Sequence, residues 1–124
     1  MEKKAAGGEV RAWYTLGLMY EQGYGVAQDK LQAVSCYRKA AENGQVEAQS
    51  RLGSLYYHGQ GVPRDLEQAA EWYKQAAQRG NPQAQMNLGN MYLSGEGVPQ
   101  DISQAAFWHK QSVKLKKNSD VTLD

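Results

Sequence analysis

A period of 36 residues runs through this 124-residue chain. A period of that length restricts a sequence to architectures in which one small unit stacks on the next. Leu16-Gly17, Leu52-Gly53 and Leu88-Gly89 recur at that offset, as do Tyr20, Tyr56 and Tyr92. The connecting segment repeats with them, in Gly23, Gly59 and Gly95, then Gly25, Gly61 and Gly97, then Asp29, Asp65 and Asp101. A second block follows, with Ala33, Ala69 and Ala105 ahead of Cys36, Trp72 and Trp108, and of Tyr37, Tyr73 and His109.

Each unit reads as two helices. Ala48, Leu52, Leu55 and Tyr56 follow i, i+4, i+7, i+8 spacing, which sets them on one face of a first helix. Ala69, Trp72, Tyr73 and Ala76 do the same for a second, with small alanines beside large aromatics as close helix packing needs. Gly17, Gly53 and Gly89 fall inside the first helices, where glycine costs up to ~1 kcal/mol relative to alanine. A cost repeated three times predicts a repeated gain, read here as a close approach of two helix backbones. Between the helices, glycine supplies the left-handed C-cap and aspartate the N-cap, with Gln32, Gln68 and Gln104 completing a capping-box spacing. Gly44 and Gly80 end second helices, and Asn81-Pro82 reads as N-cap and N1 of the next first helix.

Composition excludes more than it selects. A formal net charge of +1 and a pI near 7.8 give no global field toward nucleic acid or an anionic membrane. The single cysteine, Cys36, rules out an internal disulfide framework. No run reaches the ~18 apolar residues needed to span a bilayer, and none follows Met1 as a secretory signal would require. The reading is a single cytoplasmic domain over residues 1–124, with a periplasmic or secreted location open to a trimmed chain.

The pattern Ala48-Gln49-x-x-Leu52-Gly53-x-Leu55-Tyr56-x-x-Gly59-x-Gly61-Val62-x-x-Asp65, continued by Ala69, Trp72-Tyr73, Ala76-Ala77 and Gly80, resembles the Sel1-like repeat family, relatives of the tetratricopeptide repeats. The resemblance implies an all-α, α/α solenoid, a right-handed superhelix of three repeats at about 8–43, 44–79 and 80–115. First helices would line a concave surface and second helices a convex one, and the implied role is that of an adaptor. Cysteine-rich relatives linked to β-lactam binding or hydrolysis are disulfide-clamped in every repeat, a feature one cysteine cannot provide.

Departures from the pattern fall at the two ends. Lys3 to Gly8 matches Lys39 to Gly44, so the chain is read as opening with the tail of a preceding helix that stops at Gly8, an end where a second copy could pair. Lys116 stands where Gly44 and Gly80 predict glycine, so the last helix is expected to run on through Lys114, Lys116 and Lys117 as a cap with a polar outer face. Residues 118–124 read as a polar tail.

Chemistry finds little support. The Gly-x-Gly loops lie between helices, whereas nucleotide fingerprints follow a strand, so turn geometry accounts for them. His58 and His109 lack neighbours at metal-ligand spacing, Cys36 occupies a tryptophan position, and no serine lies in a nucleophile motif. No cofactor, metal or catalytic residue is assigned. The Lys110, Lys114, Lys116, Lys117 cluster reads as a solvated cap rather than a nucleic-acid patch. What varies between copies is the other side of the first helices: Arg11, Tyr14, Leu18, Glu21 and Gln22, then Glu47, Ser50, Ser54, Tyr57 and His58, then Gln83, Met86, Asn90, Leu93 and Ser94. Aromatic and apolar anchors there suit a groove that holds a peptide or a partner's helix, since such residues dominate binding hot spots. The alternative is a structural or inhibitory subunit docking through its ends, and hydrolysis ranks behind both.

Overall fold

The computed structural model describes residues 7–121, with side chains described through residue 114. The helices run α1 (Gly7–Gln22), α2 (Lys30–Glu42), α3 (Val46–His58), α4 (Leu66–Gln78), α5 (Pro82–Ser94) and α6 (Ile102–Val121). α1 packs on α2, α3 on α4 and α5 on α6, and the pairs join through α2–α3 and α4–α5. This is the expected all-α solenoid, in which each unit leans on the units next to it. No helix among the described residues is long and apolar enough to cross a membrane.

Each boundary has a local cause. Asp29, Asp65 and Asp101 accept from Gln32, Gln68 and Gln104 N–H at 3.1, 3.0 and 3.1 Å. The reciprocal half of a capping box is replaced: the aspartate N–H groups donate to Tyr20, Tyr56 and Tyr92 carbonyls, 2.8 to 2.9 Å away, tying each second helix to the end of its first. Gly59 and Gly95 take the left-handed C-cap at φ 67° and 75°. Asn81 caps α5 through Ala84 N–H at 2.8 Å, with Pro82 in the first turn.

The ends differ from the sequence reading. Gly8 lies inside α1, not at the end of a preceding helix. At the matching turn Asn43 bonds the Lys39 carbonyl through its side chain, and the first copy has Gly7 there, which cannot. Residues 3–6 lie outside the described residues. α6 runs on as expected and takes in residues 118–121. Through residue 114 its surface also carries apolar side chains, with Ile102 and Val113 each 59% exposed.

The core forms two clusters. One gathers Val10, Val34, Tyr37, Leu52, Leu55 and Trp72, and the other Tyr73, Leu88 and Met91 with five alanines. Burying each leucine or methionine contributes roughly 1.5–3 kcal/mol. The glycines inside the first helices serve a contact other than the backbone approach expected. A Cβ on Gly17 would lie 2.7 Å from the Tyr37 ring, one on Gly53 2.8 Å from the Tyr73 ring, and one on Gly89 2.5 Å from the His109 ring. Each bare glycine is the seat of a ring from its own repeat. Close backbone approach occurs instead between repeats, where a Cβ on Gly61 would sit 2.6 Å from the Lys30 carbonyl oxygen and one on Gly97 would press on that of Leu66. Gln49 and Gln85 complete these junctions, donating to the Ala41 and Ala77 carbonyls at 3.2 and 3.1 Å.

Two predictions follow from this packing. Gly25 and Gly97 share φ near 75° (75° and 73°), but among the described residues the nearest atom to a Cβ on Gly25 is 3.7 Å away. Gly25→Ala therefore carries only the left-handed strain of roughly 1–2 kcal/mol, and Gly97→Ala is expected to cost about 1–3 kcal/mol more through overpacking, as read by urea denaturation of both variants. The second concerns alkali. Burial raises the Tyr37 hydroxyl well above its ordinary 10.0, reinforced by its bond to Glu21, and burial likewise raises Tyr73. Above pH 10 the unfolded chain loses these protons before the folded one, so the folded state binds more protons and stability falls with pH. The denaturation midpoint should not respond to these tyrosines below pH 10 and should fall above it, less steeply in Tyr37→Phe.

Candidate functional site

The first helices α1, α3 and α5 stand side by side, and two clefts open between them. One, of about 380 Å³, is lined by Tyr14, Glu47, Ser50, Arg51, Ser54, Asn81, Gln83 and Asn87. A second, of about 290 Å³, is lined by Ser54, Tyr57, His58, Tyr73, Gln83, Asn87, Asn90 and Met91. Ser54, Gln83 and Asn87 belong to both, so the clefts form one furrow crossing three repeats. Its wall is rich in amides and hydroxyls, each able to donate and accept.

Of the residues expected to form the groove, Tyr14, Glu47, Ser50, Ser54, Tyr57, His58, Gln83 and Asn90 line this furrow. Several are also engaged by the fold. Tyr14 lies with its ring 5.9 Å from that of Tyr37. Tyr57 donates to Glu96 at 2.8 Å, which raises its hydroxyl's pKa, and Arg64 stands over its ring at 5.7 Å and within 4.0 Å of Glu96. His58 Nδ1 is 3.0 Å from the Ser54 carbonyl, and Asn90 is 2.8 Å from His109 Nε2. Leu18 and Glu21 line neither cleft. Leu18 packs against the first core cluster, and Glu21 accepts from Tyr37 at 2.5 Å and from Arg51 at 3.3 Å. Arg11, Met86 and Leu93 are exposed, and they too line neither cleft.

Sequence reasoning did not assign Tyr73 and Met91 to the second cleft, and it missed Arg51, Asn81 and Asn87. The signal was present for two of them: Glu47, Arg51, Ser54 and His58 follow i, i+4, i+7, i+11 spacing, as Gln83, Asn87, Asn90 and Ser94 do, which places each set on one stripe. Asn81 had been assigned only its N-cap role. Cys36 is buried, and burial pushes its thiol up, as an inert core residue requires. Trp72 lies in the first core cluster, and Trp108 packs against the second.

The Sel1 repeat family model matches at residues 11–45, 46–81 and 82–116, nearly the whole chain. Solved structures agree. A protective antigen of uropathogenic Escherichia coli strains displaying an SLR fold is 39% identical with a TM-score of 0.85, over 87% of this chain and 23% of its own. A Sel1 repeat protein from Oxalobacter formigenes is 30% identical with a TM-score of 0.83, over 85% and 43%. Helicobacter pylori cysteine rich protein B is 25% identical with a TM-score of 0.72, over 87% and 83%. This chain thus spans less than half the length of the first two. Among curated proteins, no sequence matches it. Sel1 repeat proteins generally act as protein-interaction scaffolds. With three matched repeats, and with neighbours built of the same repeat, this chain belongs to the Sel1 repeat family.

Proposed function

We propose that this chain is a non-catalytic adaptor that holds a peptide or a partner's helix in the furrow across α1, α3 and α5. The observation that carries the reading is the continuity of the two clefts through Ser54, Gln83 and Asn87. A polar wall that donates and accepts along its length suits main-chain amides, which carry one donor and one acceptor per residue. The exposed Met86, at 47%, stands on the same helix and can add apolar contact at the rim.

The nearest approach to catalytic machinery favours binding. Ser54 Oγ lies 3.5 Å from His58 Nδ1, but that nitrogen is also 3.0 Å from the Ser54 carbonyl. A carbonyl only accepts, so that contact requires the Nδ1–H tautomer, in which Nδ1 is not a base toward the hydroxyl.

Arginine placed in the furrow should obstruct it without touching the core. Ser50→Arg with Gln83→Arg is expected to weaken capture of a bound partner at least tenfold, about 1.4 kcal/mol, with an unchanged thermal melt. Glu71→Arg, an exposed position on the second-helix side, should bind as the parent does. Equal affinity in all three, measured calorimetrically with the partner recovered by affinity purification, would remove the furrow from consideration.

A further inference from the structure

The two inner junctions show what covers what in this solenoid. Val34 and Ala41 of α2, and Ala70 and Ala77 of α4, are buried to between 1 and 6% exposure where the next repeat lies over them. The matching residues of α6 are Ala106, which is exposed, and Val113, which is 59% exposed. Ile102, matching Lys30 and Leu66, is exposed to the same extent. Ile102, Ala106, Lys110 and Val113 are spaced i, i+4, i+8, i+11, a single stripe.

The complementary half stands at the other end. Ala48 and Ala84, which bury completely against the preceding repeat, correspond to Ala12, which is exposed. Leu52 and Leu88 are fully buried, and their counterpart Leu16 is only half-buried. Gly25 adds a register mark. Gly61 and Gly97 lack a side chain where the first carbonyl of the preceding second helix presses on them, yet Gly25 has no such neighbour among the described residues. Arg38 adds a fourth pairing, since it bonds the Tyr56 hydroxyl across the first junction, and Lys110 and Tyr20 occupy the matching places at the two ends.

We propose that copies of this chain join head to tail, α1 of one copy seated on α6 of another as α3 sits on α2. Val113 and Ala106 then cover Ala12 and Leu16, Gly25 receives the Ile102 carbonyl, and Lys110 reaches Tyr20. The contact is heterologous: each copy uses a different face from its neighbour's, so association continues beyond two copies unless it closes into a ring.

Sedimentation velocity of the 124-residue chain, from micromolar to near-millimolar concentration, should show a sedimentation coefficient that climbs with concentration. Val113→Glu and Ala12→Glu both change exposed residues, so circular dichroism should be unaltered, and each variant alone should stay monomeric. Mixed in equal amounts they should form a species of two copies and no larger, since one good α6 face meets one good α1 face. A parent chain that stays monomeric throughout, variants that associate as the parent does, or a mixture that remains monomeric would each overturn the proposal.

Discussion

A tyrosine ring seated against a helix that has no side chain to receive it is the contact on which the rest of this structure depends. Gly17 under Tyr37 and Gly53 under Tyr73 bring the two helices of a repeat close enough for alanine to fill what remains of the interface. Close pairing in turn puts the end of the first helix beside the start of the second, where the aspartate N–H can reach the Tyr20, Tyr56 or Tyr92 carbonyl. Gly61 and Gly97 then lie against the carbonyl of the repeat before. Intra-repeat packing therefore sets inter-repeat packing, and the furrow between first helices is spaced by both. In the third repeat the ring is His109, a smaller aromatic held in place by Asn90.

Much of this was legible in the sequence because it was stated three times. Periodic glycine, aspartate and tyrosine announce helix ends through local rules that tertiary context here reinforces. The role of Gly17, Gly53 and Gly89 was legible only as a need for space, because a missing Cβ does not say whether a backbone or a ring will occupy its place. The furrow was legible in part. Glu21 and Leu18 were assigned to it because they vary between copies, but variation marks junctions as well as binding surfaces. Glu21 is occupied by Tyr37 and Arg51, and Leu18 by the core. Arg51 and Asn87 would have emerged from following the helical stripe rather than from comparing the copies.

One repeat position carries three different side chains, Glu21, Tyr57 and Leu93, and the first two each suit their own neighbour. Glu21 pairs with Arg51, where the next copy has Asn87, and Tyr57 pairs with Glu96, where the other copies have Tyr24 and Gln60. A chain built of near-identical units faces a hazard that unique folds escape, because a first helix can settle on the wrong second helix and bury almost the same apolar area. The hydrophobic pattern scarcely distinguishes such misthreaded states. Unlike polar pairs at successive junctions do, since a displaced Glu21 would meet Asn87 in place of the Arg51 guanidinium, and a displaced Tyr57 would meet Gln60 in place of the Glu96 carboxylate. Such pairs differ from one junction to the next, and they favour the correct threading over its near-degenerate competitors.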